Sequence, residues 1–261
     1  SELSIERGIS ERVTSPTRNR RALPDEIFEE SIDSAGTPTA SRTVDLGEQP
    51  NTVTGLYDDE THNFQIYLTS MSGTLDKRTF QRLIFLDQIE RIQFIITPGK
   101  TLYFPKDSSS LFDGMSNLKN IDGISKIDTS KVFNMSFMFG STTNLKTLDI
   151  GSWDTRNVIN MSNMFFRASA LTTLDLSHWD TRNVTDMTSM FFNASRLTLL
   201  DIDGWNTSNV TSMSNMFYGV SGLTSLNISS WNTSQVIDMF NMFYGMSGLT
   251  TLNLGRWDIR N

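Results

Sequence analysis

The sequence predicts an α/β solenoid: a right-handed coil of 26-residue strand–turn–helix units behind a small α+β N-terminal cap. Three observations carry that prediction. Five tryptophans stand 26 residues apart, the hydrophobic pattern changes period once inside every unit, and acidic residues thin out abruptly where the repeats begin.

The tryptophans are Trp153, Trp179, Trp205, Trp231 and Trp257. Other columns keep the same step, among them Val158, Val184, Val210 and Val236; Met161, Met187, Met213 and Met239; Phe165, Phe191, Phe217 and Phe243. Leu145, Leu171, Leu197, Leu223 and Leu249 open successive units, and an earlier unit starts at Leu118 with Ile127 in the tryptophan place. Within one unit, Leu171-Thr-Thr-Leu174-Asp-Leu176 has the L-x-x-L-x-L form of a leucine-rich repeat, which predicts a short strand. Asp180-Thr181 supplies turn-forming side chains, and Asn183 suits the cap of a following element. From Val184 the apolar residues recur at Met187, Met190, Phe191 and Ala194, a helical spacing. One such unit cannot bury its apolar face, so the units must stack. With strands roughly 4.8 Å apart, six units span on the order of 25 to 30 Å.

The segment before the repeats has a different character. Residues 1–117 hold 18 acidic and 12 basic residues, against 11 and 10 in residues 118–261, and no Glu follows Glu90. This shift divides the chain into a lead-in over 1–46, a cap over 47–117 and about six repeats over 118–261, the last one truncated. The lead-in reads as flexible or extended, with a helical turn or two around Pro24 to Glu30. In the cap, Asn63 to Leu68 alternates at period two and predicts a strand. Arg91 to Ile96 and Thr101 to Phe104 are further strands parted by the turn Pro98-Gly99, Lys77 to Asp87 has helical spacing, and Ser110 to Met115 is expected to be a short helix. Covering the open apolar end of the first coil is the task such a unit would serve.

Composition narrows the function. The net charge of −7 argues against nucleic acid, which needs a basic stripe. No apolar run approaches the roughly 18 to 20 residues of a membrane span. The absence of cysteine removes disulfides and thiolate metal sites together. The two histidines, His62 and His178, fall in different units, and no phosphate loop or metal-ligand spacing accompanies them. The chain is therefore read as non-enzymatic, with no cofactor and no metal site. The abrupt ends make it read as a piece of a longer protein.

The run Leu171-Thr-Thr-Leu-Asp-Leu-Ser-His-Trp-Asp-Thr-Arg-Asn-Val-Thr-Asp-Met-Thr-Ser-Met-Phe191 resembles the BspA-like leucine-rich repeat surface proteins of bacteria. The segments Asp87 to Ile95 and Ser108 to Leu118 resemble what precedes the repeats in Gram-positive members, so the likeness covers about residues 60 to 261. Members often carry Cys in the helix-to-strand loop, where this chain has Ala168, Ala194, Val220 and Met246 nearby. The resemblance implies a secreted protein of the bacterial cell surface or cell wall, an adhesin for host matrix, mucin or another surface protein. It assigns no binding residue.

Three columns compete for the ligand. The solvent side of the strands carries Asp149, Asp175, Asp201, Asn227 and Asn253, with His178 beside them, and this face is the first place to expect a protein or glycoprotein partner. Three carboxylates one strand spacing apart also suit a cation or a basic peptide, and a merely hydrated face is the plainer reading. The tryptophans read as core in preference to a sugar-stacking platform. Phe166, Phe192, Tyr218 and Tyr244 read as rings stacked from coil to coil in preference to an exposed strip. The Asn-x-Ser/Thr triplets coincide with turns that the repeat requires anyway. A stalk without a specific ligand is the rival to a binding module.

Overall fold

The computed structural model describes residues 29–32, 38–255 and 257–258. The helical turn expected around Pro24 falls mostly outside them, and its last residues, Glu29 and Glu30, open a strand. Strands β1 (Glu29–Ile32), β2 (Pro38–Asp45), β3 (Val53–Asp58) and β4 (Asn63–Leu68) form an antiparallel meander. The alternation of β4 is the one the sequence predicts, with Phe64, Ile66 and Leu68 inward. At the β3–β4 turn the Asp58 carboxylate accepts the backbone N–H groups of Glu60 and Thr61.

Beyond β4 the sheet changes direction. β5 (Ser72–Thr74) and β7 (Thr101–Tyr103) pair with each other in a small parallel sheet. Between them lie helix α1 (Lys77–Gln81), capped by the Asp76 side chain, and strand β6 (Arg91–Ile95). β6 joins β4 in parallel, and β8 (Asn120–Asp122) joins β6, giving the order β1-β2-β3-β4-β6-β8. β8 already belongs to the first coil, so one sheet runs from the meander into the stack. Gly123 follows β8 at φ 74°, and a Cβ there would meet the Phe94 carbonyl oxygen at 2.4 Å, so the handover needs glycine.

The coils form a mostly β solenoid, and the helix expected in each unit is absent. Among the described residues the only α-helix is the five-residue α1, joined by short 3-10 turns at Leu86–Gln88 and Ile124–Lys126. The α/β strand–turn–helix reading is thereby corrected. The reason lies in the hydrogen bonds of the segment read as helical. Met187, Ser189, Phe191 and Asn193 donate their backbone N–H groups to Ser212, Ser214, Met216 and Tyr218 of the next coil. The alternate residues Met190, Phe192 and Ala194 donate three residues back within their own coil. An α-helix would bond four residues back and leave nothing for the neighbour. Ser189 and Asn193 also hold φ of 53° and 54°, a left-handed conformation that no α-helix admits. Met187, Met190, Phe191 and Ala194 still point inward at 0% exposure. The helical spacing therefore names the buried residues correctly and their hydrogen-bond partners wrongly.

The same device begins before the repeats. Ser110, Phe112 and Gly114 donate to Ser136, Met138 and Gly140, so Ser110 to Met115 is a run of turns and not the expected helix. A chain of parallel bridges through Asp107, Asn134, Asn160, Asp186, Ser212 and Asp238 continues it along the stack. On another side β9 (Thr173–Asp175) pairs with β10 (Leu199–Asp201), and β11 (Ser225–Asn227) with β12 (Thr251–Asn253), all parallel and in register.

The interior repeats as well. Trp153, Trp179, Trp205 and Trp231 are buried core and stack 6.0 to 6.4 Å apart. Each indole Nε1 donates to a backbone carbonyl of the preceding coil, as Trp205 does to Leu176 at 2.9 Å. Phe139, Phe165, Phe191, Phe217 and Phe243 form a second ring stack. Beside the tryptophans runs a file of buried threonines, where Thr129, Thr155, Thr181, Thr207 and Thr233 each donate to the carbonyl 25 residues on. Asn183 caps no helix: its side-chain amide donates to the Arg156 carbonyl of the coil before.

Candidate functional site

The strand side of the stack is the exposed, regular surface. β9 to β12 each hold three residues, of which the outer two face solvent while Leu174 and Leu226 are buried. The register places Asp175 beside Asp201 and Asn227 beside Asn253. Asp149, one coil earlier, is exposed on an irregular segment. No ladder joins β10 to β11 among the described residues, so four of the column members form two separate pairs and Asp149 stands outside both.

The column has a local structural task at three of its positions. Asp175 Oδ1 accepts the Ser177 backbone N–H at 3.1 Å and its hydroxyl at 2.6 Å, closing an Asx turn. Asn227 repeats the motif with Ser229, and Asn253 accepts from the Gly255 backbone. The turn requires one acceptor oxygen, which Asp and Asn supply equally. The Ser177 hydroxyl, then its backbone N–H, then the charge of exposed His178 hold the Asp175 carboxyl below its ordinary range. The side chains of Asp149 and Asp201 have no hydrogen-bond or ion-pair partner among the described residues. Their charges are free. Among the described residues no three acidic or histidine side chains gather as a metal-binding group.

Sequence reasoning passed over Leu199. It projects from β10 at 64% exposure, in a row otherwise made of Thr147, Thr173, Ser225 and Thr251, and it shares its face with Asp201. Its signal is a break in a polar column, visible once the columns are aligned. A second omission lies at the tryptophan turns. Asp154 pairs with Arg156 and Asp180 with Arg182 at 2.7 and 2.8 Å, around a shallow cleft of about 440 Å³ that Asn157 and Asn183 also line. Hydrogen bonds from the arginines hold both carboxyls below their ordinary range. The next coils carry Asn206 and Ser208, then Asn232 and Ser234, before the sequence returns to Asp258 and Arg260. The aromatic column is a ladder of rings: Phe166, Phe192, Tyr218 and Tyr244 stack at 5.0, 4.6 and 4.9 Å. Its first two members are buried and Tyr244 is exposed.

The profile of the family described as "Mycoplasma protein of unknown function, DUF285" matches residues 106–199 and 196–261. The chain belongs to this family. No curated protein matches it. The DUF285 match opens at residue 106, next to the Asp107–Asn134 bridge from which the later bridges continue at 26-residue steps, and not at Leu118 where the leucine columns start.

Proposed function

We propose that this chain is a cell-surface adhesion or protein-interaction module of the BspA-like, leucine-rich repeat type. On this reading it is secreted by a Gram-positive bacterium, sits at the cell wall, and binds a host or bacterial surface protein or glycoprotein on its strand side. One observation carries the reading: Asp149, Asp201 and Leu199 stand exposed on one side, and nothing in the coil's own hydrogen bonding or packing requires them. An exposed leucine and an exposed carboxylate on one strand, with further carboxylates along the same side, suit a partner segment that combines basic and apolar residues.

The triple substitution D149N/D175N/D201N tests it. Asn keeps the turn at 175 and mimics the column's own continuation at Asn227, so melting should be nearly unchanged. Adhesion to immobilised matrix protein or mucin should weaken and lose salt sensitivity, since exposed charges act within roughly 8 to 10 Å. Wild-type adhesion by the variant at low salt would move the site elsewhere on the stack. Adhesion by neither protein across a broad panel would favour a stalk that spaces another domain from the wall.

A further inference from the structure

A cleft lies at the junction of the N-terminal unit and the coils, lined by none of the strand-side column residues. It encloses about 860 Å³, within the size range of small-molecule sites. One wall is α1 with Lys77, Arg78 and Arg82; the other is the segment after β7 with Lys106, joined by Lys131 from the first coil. Residues 47–117 are acidic in balance, yet four of their six basic residues line this one cleft.

Its acids are largely engaged. Asp76 caps α1 by accepting the Arg78 and Thr79 backbone N–H groups. Asp107 pairs with Lys77 at 3.0 Å and accepts from Ser109. Burial opposes its ionisation, but these bonds outweigh it and hold its carboxyl below the ordinary range. Glu48 stays exposed. Against them, Arg78, Arg82 and Lys106 form no ion pair among the described residues, and Lys131 rests over the Tyr103 ring at 3.9 Å. Arg78 and Arg82 stand four residues apart, one turn, so their guanidiniums can address the same group. Buried Phe104 and Pro105 add an apolar lining.

We infer that this cleft binds a small organic molecule bearing a tetrahedral oxyanion, a phosphate or sulfate monoester on a compact body such as a sugar. Two guanidiniums and two ammoniums from facing walls offer more donors than a single carboxylate can accept, and the apolar lining takes the body. Because the walls come from both parts of the chain, the ligand would also clamp the junction and raise its melting temperature by mass action.

Calorimetric titration of the full chain with glucose 6-phosphate, glucose 6-sulfate, glucose and inorganic phosphate tests this. At least one ester should bind saturably, glucose should not, and the two ester arms tell phosphate from sulfate. R78Q/R82Q should weaken the preferred ester by about a hundredfold, roughly tenfold for each charge-assisted contact. K106Q/K131Q should weaken it from the opposite wall, which keeps the test valid if either variant folds poorly. Absence of saturable binding by both esters, or undiminished binding by a natively melting variant, overturns the site. Inorganic phosphate binding as tightly as its ester overturns the role given to the apolar lining.

Discussion

The N-terminal unit and the coil stack bury aromatic side chains equally well but organise them on opposite principles. In the meander every contact is particular. Tyr57 lies flat on Phe85 at 4.1 Å, edge-on to Phe64, and bonds His62 Nδ1 through its hydroxyl. In the stack each contact is a copy: phenylalanines recur at 5.5 to 6.0 Å from Phe165 to Phe243, indoles near 6 Å, and threonine bonds at a constant 25-residue reach. Damage to a particular network spreads through it, whereas in a stack each coil depends on its two neighbours alone. That difference can be tested directly.

The largest expected effect is Phe217→Ala. The ring is fully buried between Phe191 and Phe243, and its loss should cost about 3 to 5 kcal/mol. Hydrogen exchange should quicken in the coils around residue 217 and leave amides of β3 and β4 protected. Phe64→Ala, of similar cost, should instead open β3, β4 and β6 together. Equal loss of protection across the whole chain in both variants would mean that the two parts form one cooperative unit.

A smaller effect is expected from Thr207→Val, which keeps the shape and removes the hydroxyl bonded to the Asn232 carbonyl at 2.9 Å. Loss of one hydrogen bond with a carbonyl left partly unsatisfied costs about 1 to 2 kcal/mol. The same cost should recur for Thr181→Val, since each threonine does the same job in its own coil. A large disparity between the two in denaturant melts would break the equivalence of the coils.

What could be read from sequence follows the same divide. β4 was legible because an antiparallel strand with one buried face writes its geometry as period-two alternation. The inward residues of each coil were legible too, the tryptophans among them, but not that each indole N–H reaches back to a carbonyl of the preceding coil. The helix was misread because spacing at 187, 190, 191 and 194 records which side chains face inward, while the direction of the N–H groups is set by the next coil. A corrective signal existed in residues that tolerate positive φ. Asn163, Asn215 and Asn241, then Asn193, Gly219 and Gly245, recur where a helix would not choose them. Of the candidate site, the Asp and Asn column was legible as exposed. Its turn-closing role was not, because it depends on which neighbour folds back to meet the side chain. The cleft between α1 and Lys131 joins residues up to 83 apart, a distance no local pattern spans.

pH separates the two regions by the sign of its effect. Burial, with the nearby Asp59 charge, pushes the Tyr57 hydroxyl up to about 12. The unfolded chain then loses this proton near pH 10 while the folded one still holds it, so Tyr57's contribution to the N-terminal unit is complete below pH 10 and is lost as pH rises toward 12. In the stack the Asp154 and Asp180 carboxyls are held low by their arginine partners. Their contribution is complete above about pH 4 and fades as pH falls through the folded values. It is modest because both pairs face solvent and are screened by salt. Exchange-resolved melts should therefore show the meander loosening first in alkali. In acid, D154N/D180N should shed the part of the stack's pH sensitivity due to these pairs while the meander follows wild type. A stack equally sensitive to acid in wild type and in the Asn variant would assign the acid loss to other carboxylates and leave the paired ladder as surface decoration.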